Sequence, residues 1–304
     1  MSTTSSHSGA LEPPITTIDE EPLPEAELQL EHAKPLVVIQ PSNRWSSLNL
    51  RELWAYRELL FFLTWRDVKV RYKQTAFGVA WVVLQPLLST LIFTVVLGVL
   101  ARVPSDGYPY PVFVFAGLLP WQLFSSAVNV SGNSLVGNAH LITKVYFPRL
   151  IIPAAAVAAR LVDFAVSAII LIGLFAYFRI PPSLQLLWVP VLVALVTLLS
   201  LAVGTWTSAL NVKYRDIGVM IPVLLQFLMF ASPVVYGTNL VPPHWQWLYQ
   251  LNPLVGIIEG FRSAVFNKPM NFSALAVSAL WTFGLLVYST FVFRRMEKSF
   301  ADIV

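Results

Sequence analysis

Five ionisable side chains (Arg66, Asp67, Lys69, Arg71 and Lys73) crowd into the segment WRDVKVRYKQT, Trp65 to Thr75, directly before the apolar run Val79 to Leu100. Guanidinium and ammonium groups at this density offer charge-assisted hydrogen bonds to anions such as phosphate. Read as a helix, Phe61, Trp65, Val68 and Tyr72 recur at four, three and four residues and make an apolar stripe. Arg66, Lys69 and Lys73 recur at three and four beside it. The pattern predicts a helix lying in the membrane interface with its cations toward the headgroups. An anionic cytoplasmic leaflet favours such a segment by about 1 kcal/mol per Lys or Arg.

Three further places hold polar groups that an apolar chain does not keep casually. Arg160 and Asp163 stand three apart in a long apolar run, so their side chains can meet on one helix face. They are either a functional site or a mutually neutralised pair that fixes helix packing. The segment NAHLITKVYFP, Asn138 to Pro148, sets Leu141, Val145 and Pro148 on a short apolar face before Arg149. It reads equally as a docking helix for a cytoplasmic partner and as a membrane-surface helix. Gly237 to Lys268 is apolar but broken by Pro242, Pro243, Pro253, Gly256 and Gly260. It predicts short helices dipping into the outer leaflet, with Trp245, Trp247 and Tyr249 in an interfacial belt, as an anchor or as part of an exit gate.

Catalytic constellations are missing from the sequence. Cysteine is absent, the four His (His7, His32, His140, His244) are scattered, and no G-x-x-x-x-G-K-[ST] phosphate loop occurs. No metal site and no cofactor are expected in this chain.

The elements that must position these residues follow from composition. Of 304 residues 56% are hydrophobic and 12% charged, too apolar for a water-soluble chain. Residues 1 to 49 hold seven acids against two bases and predict an acidic, largely disordered cytoplasmic tail, distinct from a membrane domain over 50 to 304. The basic excess of the remainder argues for orientation in a membrane, not for nucleic acid. Six apolar spans are expected at about Val79–Leu100, Val112–Val130, Leu150–Phe178, Leu184–Leu210, Ile217–Tyr236 and Phe272–Phe293. With both termini inside, thirteen Lys and Arg fall on the cytoplasmic side and four on the outer side. The predicted fold class is therefore an all-α polytopic membrane protein, with an N-terminal interfacial amphipathic helix and short re-entrant helices between spans five and six.

Five blocks in this order resemble the permease subunit of a type-2 ABC exporter of the polysaccharide and O-antigen class. They are Leu50 to Pro86, Asn138 to Arg149 (NAHLITKVYFPR), Asn211 to Ile217 (NVKYRDI), Ser232 to Tyr236 (SPVVY) and Leu251 to Arg262 (LNPLVGIIEGFR). The resemblance implies a homodimer in the bacterial cytoplasmic (inner) membrane, with two copies of a separate cytoplasmic ATPase that binds the ATP and Mg. It also implies a gate helix over about Leu59 to Thr75, a coupling helix over Asn138 to Arg149 and re-entrant helices over Leu240 to Phe266.

The expected substrate is a polysaccharide on a polyprenyl diphosphate lipid, its diphosphate met by Arg66, Lys69, Arg71, Tyr72 and Lys73. Asn138, Leu141, Lys144, Tyr146, Phe147 and Arg149 would take the push of the ATPase. Tyr108, Tyr110, Phe113, Phe115, Trp121 and Phe124 would line the path of the sugars, with Trp245, Trp247, Asn252, Glu259 and Arg262 toward the exit. A capsule or teichoic-type polymer is an alternative cargo. An ion-coupled secondary transporter is the alternative mechanism, although no paired half-repeats are visible and Asp163 is the one acid well inside a span. A polytopic glycosyltransferase would need outer-face acids, where only Asp106 and Glu259 fall.

Overall fold

Backbone groups in hydrocarbon have no water to bond, so long apolar runs close their hydrogen bonds internally as helices. The computed structural model describes residues 54–73, 78–144 and 147–297, and every regular element among them is helical. In chain order these are α1 (Arg57–Lys73), α2 (Gly78–Phe93, continuing as a π-helical turn over Thr94–Leu100), α3 (Tyr110–Gly137), α4 (Ala139–Lys144) and α5 (Ile151–Tyr177). After a 3-10 turn at Leu184–Trp188 come α6 (Val189–Lys213), α7 (Asp216–Phe230), α8 (Gln246–Gln250), α9 (Pro253–Phe266) and α10 (Phe272–Glu297).

Five of these segments are long and apolar enough to cross a membrane: Ala80–Leu100, Tyr110–Gly137, Ile151–Tyr177, Leu184–Lys213 and Phe272–Glu297. The fifth expected span differs. α7 has 15 residues, about 22 Å of helix against roughly 30 Å of hydrocarbon, and stops at Phe230. Pro233 lacks an amide hydrogen, and Ala231–Tyr236 runs as turns instead of further helix. The second span is longer than expected, because α3 begins at Tyr110 and continues past Val130 to Gly137.

α3 is the centre of the protein. In its most apolar stretch 78% of residues are buried, against 17–39% in the other four long helices. It packs on α5, α6 and α9, while α10 lies against α6 and α9. Contact with α6 is very close at Gly204, where an added Cβ would stand 2.5 Å from Ser131 Oγ.

The expected lipid-facing stripe of α1 is divided by the structure. Phe61 and Trp65 are exposed, together with Phe62, but Leu63 is buried and Leu59 and Leu60 pack beside it against α5. The helix thus sits on protein through Tyr56, Leu59, Leu60 and Leu63, one residue out of step with the stripe read from spacing. The acidic segment 1–49 and the terminal residues 298–304 lie outside the described residues.

Candidate functional site

A cavity of about 360 Å³ opens between α2, α3, α5 and α7, with the end of α1 at its edge. α3 presents Gln122, Ser126 and Asn129 at spacings of four and three, so one face of this central helix is polar. α2 adds Gln85, and α5 adds Arg160, Asp163 and Ser167. Gln85, Gln122, Ser126, Asn129 and Ser167 are not ionisable and were not among the expected site residues; the three-four spacing along α3 was the available signal.

Asp163 is the hub of the site. Arg160 Nη1 donates to Asp163 Oδ2 at 3.0 Å, as the i, i+3 spacing predicts. Two groups from α1 join it: Arg71 Nη2 stands 3.4 Å from Oδ2, and the Tyr72 hydroxyl donates to Oδ1 at 2.6 Å. Arg160 is 4% exposed, and its Nε has no hydrogen-bond partner in the structure. Two guanidinium groups therefore face one carboxylate in this corner, leaving it cationic. Burial, reinforced by the hydrogen bond to the Asp163 carboxylate, raises the Tyr72 phenol above its ordinary value, so it stays a neutral donor. Tyr72→Phe is expected to cost about 1–2 kcal/mol in a thermal melt, because a hydrogen bond donated to a carboxylate is lost without steric change. An unchanged melting point would refute that role.

The remaining cations of α1 fall into two groups. Arg66 is engaged by Asp67 (Nε at 3.0 Å, Nη2 at 2.8 Å) and donates to Asn138 Oδ1 at 2.9 Å. Lys69 and Lys73 are exposed, the former 5.6 Å from the centre of the Trp65 ring. Of the expected diphosphate set, then, Lys69 and Lys73 point to the surroundings, while Arg71 and Tyr72 border the cavity side through Asp163.

In the segment expected to couple to an ATPase, Asn138 ties α4 to α1 through Arg66, and its own amide donates to Ser134 O at 2.8 Å. Leu141 is half-buried and Lys144 exposed. Phe147 corrects the expectation: it is 6% exposed, packed with Leu63, Ile142 and Phe293, and so is not presented for docking. Tyr146 lies outside the described residues. Arg149 binds the end of α10 by its backbone amide to Glu297 Oε1 (3.3 Å) and by its guanidinium to the Glu297 carbonyl. Nearby, Asn211 of NVKYRDI donates to Gly132 O at 3.0 Å and accepts from Gly218 N at 3.0 Å. It thereby gives a first-turn amide of α7 a second acceptor, shorter than the 3.3 Å contact of Gly218 N with Arg215 O at the cap.

At the opposite end of the helices, the aromatic path is also corrected. Phe113, Phe115, Trp121 and Phe124 are 0, 0, 5 and 3% exposed, so they form core and do not line an open surface of this chain. Tyr108 and Tyr110 are half-buried, donating to Phe266 O (2.7 Å) and Val235 O (3.0 Å). Arg262, expected near an exit, is 2% exposed. Its Nη1 donates to Tyr236 O (2.8 Å) and its Nη2 to Val234 O (2.7 Å), with Glu259 Oε1 at 3.4 Å and the Phe113 ring centre at 3.9 Å. Gly117 makes room for this: a Cβ there would stand 2.2 Å from Val234 O and 2.5 Å from Arg262 Nη2. Asn252 caps α9 through Leu254 N (3.0 Å) and holds the end of α7 through Ser232 Oγ (2.9 Å). Trp245 and Trp247 are 53% and 65% exposed.

Asp106 accepts from Lys268 Nζ (2.8 Å) and Asn239 Nδ2 (2.7 Å), clasping three loops. Burial works to raise its carboxyl, but the hydrogen bonds from Lys268 and Asn239 prevail and hold it below the ordinary 3.8. A lowered carboxyl contributes stability above its unfolded value and loses it as pH falls through the folded value. Protease nicking of these loops is therefore expected to rise only below about pH 3.8 in the native protein. In Asp106→Asn nicking should be high at neutral pH already, with no acid step; an acid step of native size there would refute the clasp.

The architecture defines a multi-pass helical membrane protein whose polar groups gather in a cleft between its long helices. Among the described residues no three His, Asp or Glu come together as metal ligands. The chain belongs to the ABC-2 type transporter family, whose model matches residues 58–266. It is similar to the O-antigen export system permease protein RfbA of Klebsiella pneumoniae, at 28% identity over 81% of this chain and 95% of that one. Its likeness to the RfbA permease of Myxococcus xanthus is also 28%, over 84% and 98% of the two chains. The polysialic acid transport protein KpsM of Escherichia coli matches at 28% over 74% and 90%. The chain is thus an ABC-2 permease, a transport component related to permeases of polysaccharide export.

Proposed function

We propose that this chain is the membrane subunit of an ATP-driven exporter that carries a polyprenyl-diphosphate-linked polysaccharide from the cytoplasmic to the outer face of the inner membrane. The observation that carries the reading is the cationic polar cleft under the end of α1. Long apolar helices gain nothing from Gln85, Gln122, Asn129, Arg160 and Asp163 unless something polar passes or rests there. A diphosphate headgroup meets Lys69 and Lys73 first and then the cleft, where Arg71 and Arg160 outnumber Asp163. The names of the related permeases supply the cargo class: a surface polysaccharide, with O-antigen as the chosen member.

In this reading α7 with the turns to Tyr236 completes a sixth crossing. α1 is the interfacial gate, and α8 and α9 are a re-entrant hairpin on the outer side. Both termini are cytoplasmic, two copies form the channel, and two ATPase subunits beneath them bind ATP and Mg. Lys144 and Leu141 remain as the surface of α4 for that partner. The sequence itself carries no phosphate loop, so hydrolysis belongs to the other subunit.

The test is a strain lacking this chain, assayed for surface polysaccharide and for lipid-linked polysaccharide inside the cell. Loss outside with accumulation inside is the expected result. Unchanged pools of both would remove the polysaccharide from the proposal.

A further inference from the structure

Between α9, the start of α10 and the segment Thr238–Gln250 lies a second cavity, of about 330 Å³. It stands at the end of α10 opposite to the Arg149–Glu297 contact, and so far from the cleft under α1. We propose that this cavity is a carbohydrate-binding subsite, accepting a neutral sugar residue by its hydroxyl groups.

The charges at its wall are already compensated. Lys268 is held by Asp106 at 2.8 Å and Glu259 by Arg262 at 3.4 Å, so no net charge remains to draw in a small ion. What remains is neutral hydrogen-bonding capacity. The Gln250 side chain makes no hydrogen bond within the described residues, and it lines the cavity. Asn271 spends its oxygen on Ser273 and Ala274 N, keeping its NH2 group. Gln246 spends its NH2 group on Val241 O and keeps its oxygen. Glu259 accepts from Arg262 and the Thr238 backbone, half the lone-pair sites a carboxylate offers. Interleaved donors and acceptors of this kind suit hydroxyls, each of which both donates and accepts. Val255 and Pro269 supply an apolar patch for the C–H face of a ring. The volume sits at the small end of ligand sites, which suits a single sugar residue and not a polymer.

The floor is rigid, because Glu259 belongs to the same helix turn as Arg262, whose guanidinium is bonded to Val234 and Tyr236. That the bound sugar belongs to an exported chain rests on the function proposed above; that the cavity takes a sugar does not.

The full-length protein in phosphatidylethanolamine–phosphatidylglycerol nanodiscs is to be probed with glucose, galactose, mannose, rhamnose and N-acetylglucosamine. Saturation-transfer NMR at about 10 mM reads the weak binding expected of one residue. At least one sugar is expected to bind the native protein, and Gln250→Trp, which fills the cavity without removing a side-chain hydrogen bond, is expected to abolish it. Glu259→Gln should weaken binding about ten-fold. No binding by the native protein, or equal binding by Gln250→Trp, overturns the subsite. Binding lost in Gln250→Trp from a protein whose deletion leaves surface polysaccharide intact would keep the subsite and remove the export reading.

Discussion

Replacing Asp163 by Leu is expected to lower stability by roughly 3–5 kcal/mol, because it leaves a buried guanidinium without its counter-charge. Arg160 is 4% exposed and already has one nitrogen without a partner, so the charge cannot turn to water at small cost. The same change removes the Arg71 and Tyr72 bonds to Asp163, two bonds that join the end of α1 to α5. A second variant separates these effects. Arg160→Met with Asp163→Leu removes both charges, and a buried pair replaced by apolar side chains of similar size is often neutral in stability. The double variant should therefore regain most of the lost stability in a thermal melt. Transport should stay low, since α1 remains unfastened. A single variant as stable as the native chain would show that the pair does not carry its assigned burden. Recovery of transport in the double variant would show that it is a packing device only.

Gly117→Ala should be nearly as damaging, at about 2–4 kcal/mol, for the opposite reason: it adds atoms where none fit. The new Cβ would meet Val234 O at 2.2 Å and Arg262 Nη2 at 2.5 Å. Neither neighbour is a flexible tip, since the carbonyl is backbone and the guanidinium is fixed by three acceptors. Separating them leaves buried carbonyls and a buried charge unsatisfied. Gly173→Ala provides the comparison, as nothing lies within 4 Å of a Cβ there. It should melt as the native protein does, whereas equal melting of both variants would refute the clamp.

Arg160 and Asp163 could be paired from sequence because a helix fixes which residues three apart must meet. Hydropathy placed five of the six expected spans on long apolar helices, since over some twenty residues it reports a property of the segment alone. Tyr72 and Asp163, 91 positions apart, could not be paired that way. Their contact depends on the docking angle of α1, and the exposed Phe61, Phe62 and Trp65 disguised which face of α1 docks. A protein in lipid can leave its largest apolar side chains outside, so size and hydrophobicity cease to mark the inner face. The same ambiguity misplaced Phe113, Trp121 and Phe124, which read as a path and are core. Arg262 was read as lying toward the exit but not as enclosed: two of its partners are backbone carbonyls, which no side-chain pattern reveals.

The polar face of α3 has a consequence for how the chain is made. Its mean hydropathy of 1.5 is the lowest of the five long helices, which otherwise run from 1.7 to 2.6, yet it is the one most completely enclosed. During synthesis it emerges before α5 and α6, the helices that later cover Gly132, Ser131 and their neighbours. Alone in lipid it would expose Gln122 and Asn129 to hydrocarbon, because the cleft they line with α5 and α7 does not yet exist. Biogenesis therefore favours a pause in which α3 waits at the insertion machinery until its successors arrive, making the order of release from the translocon part of the folding pathway.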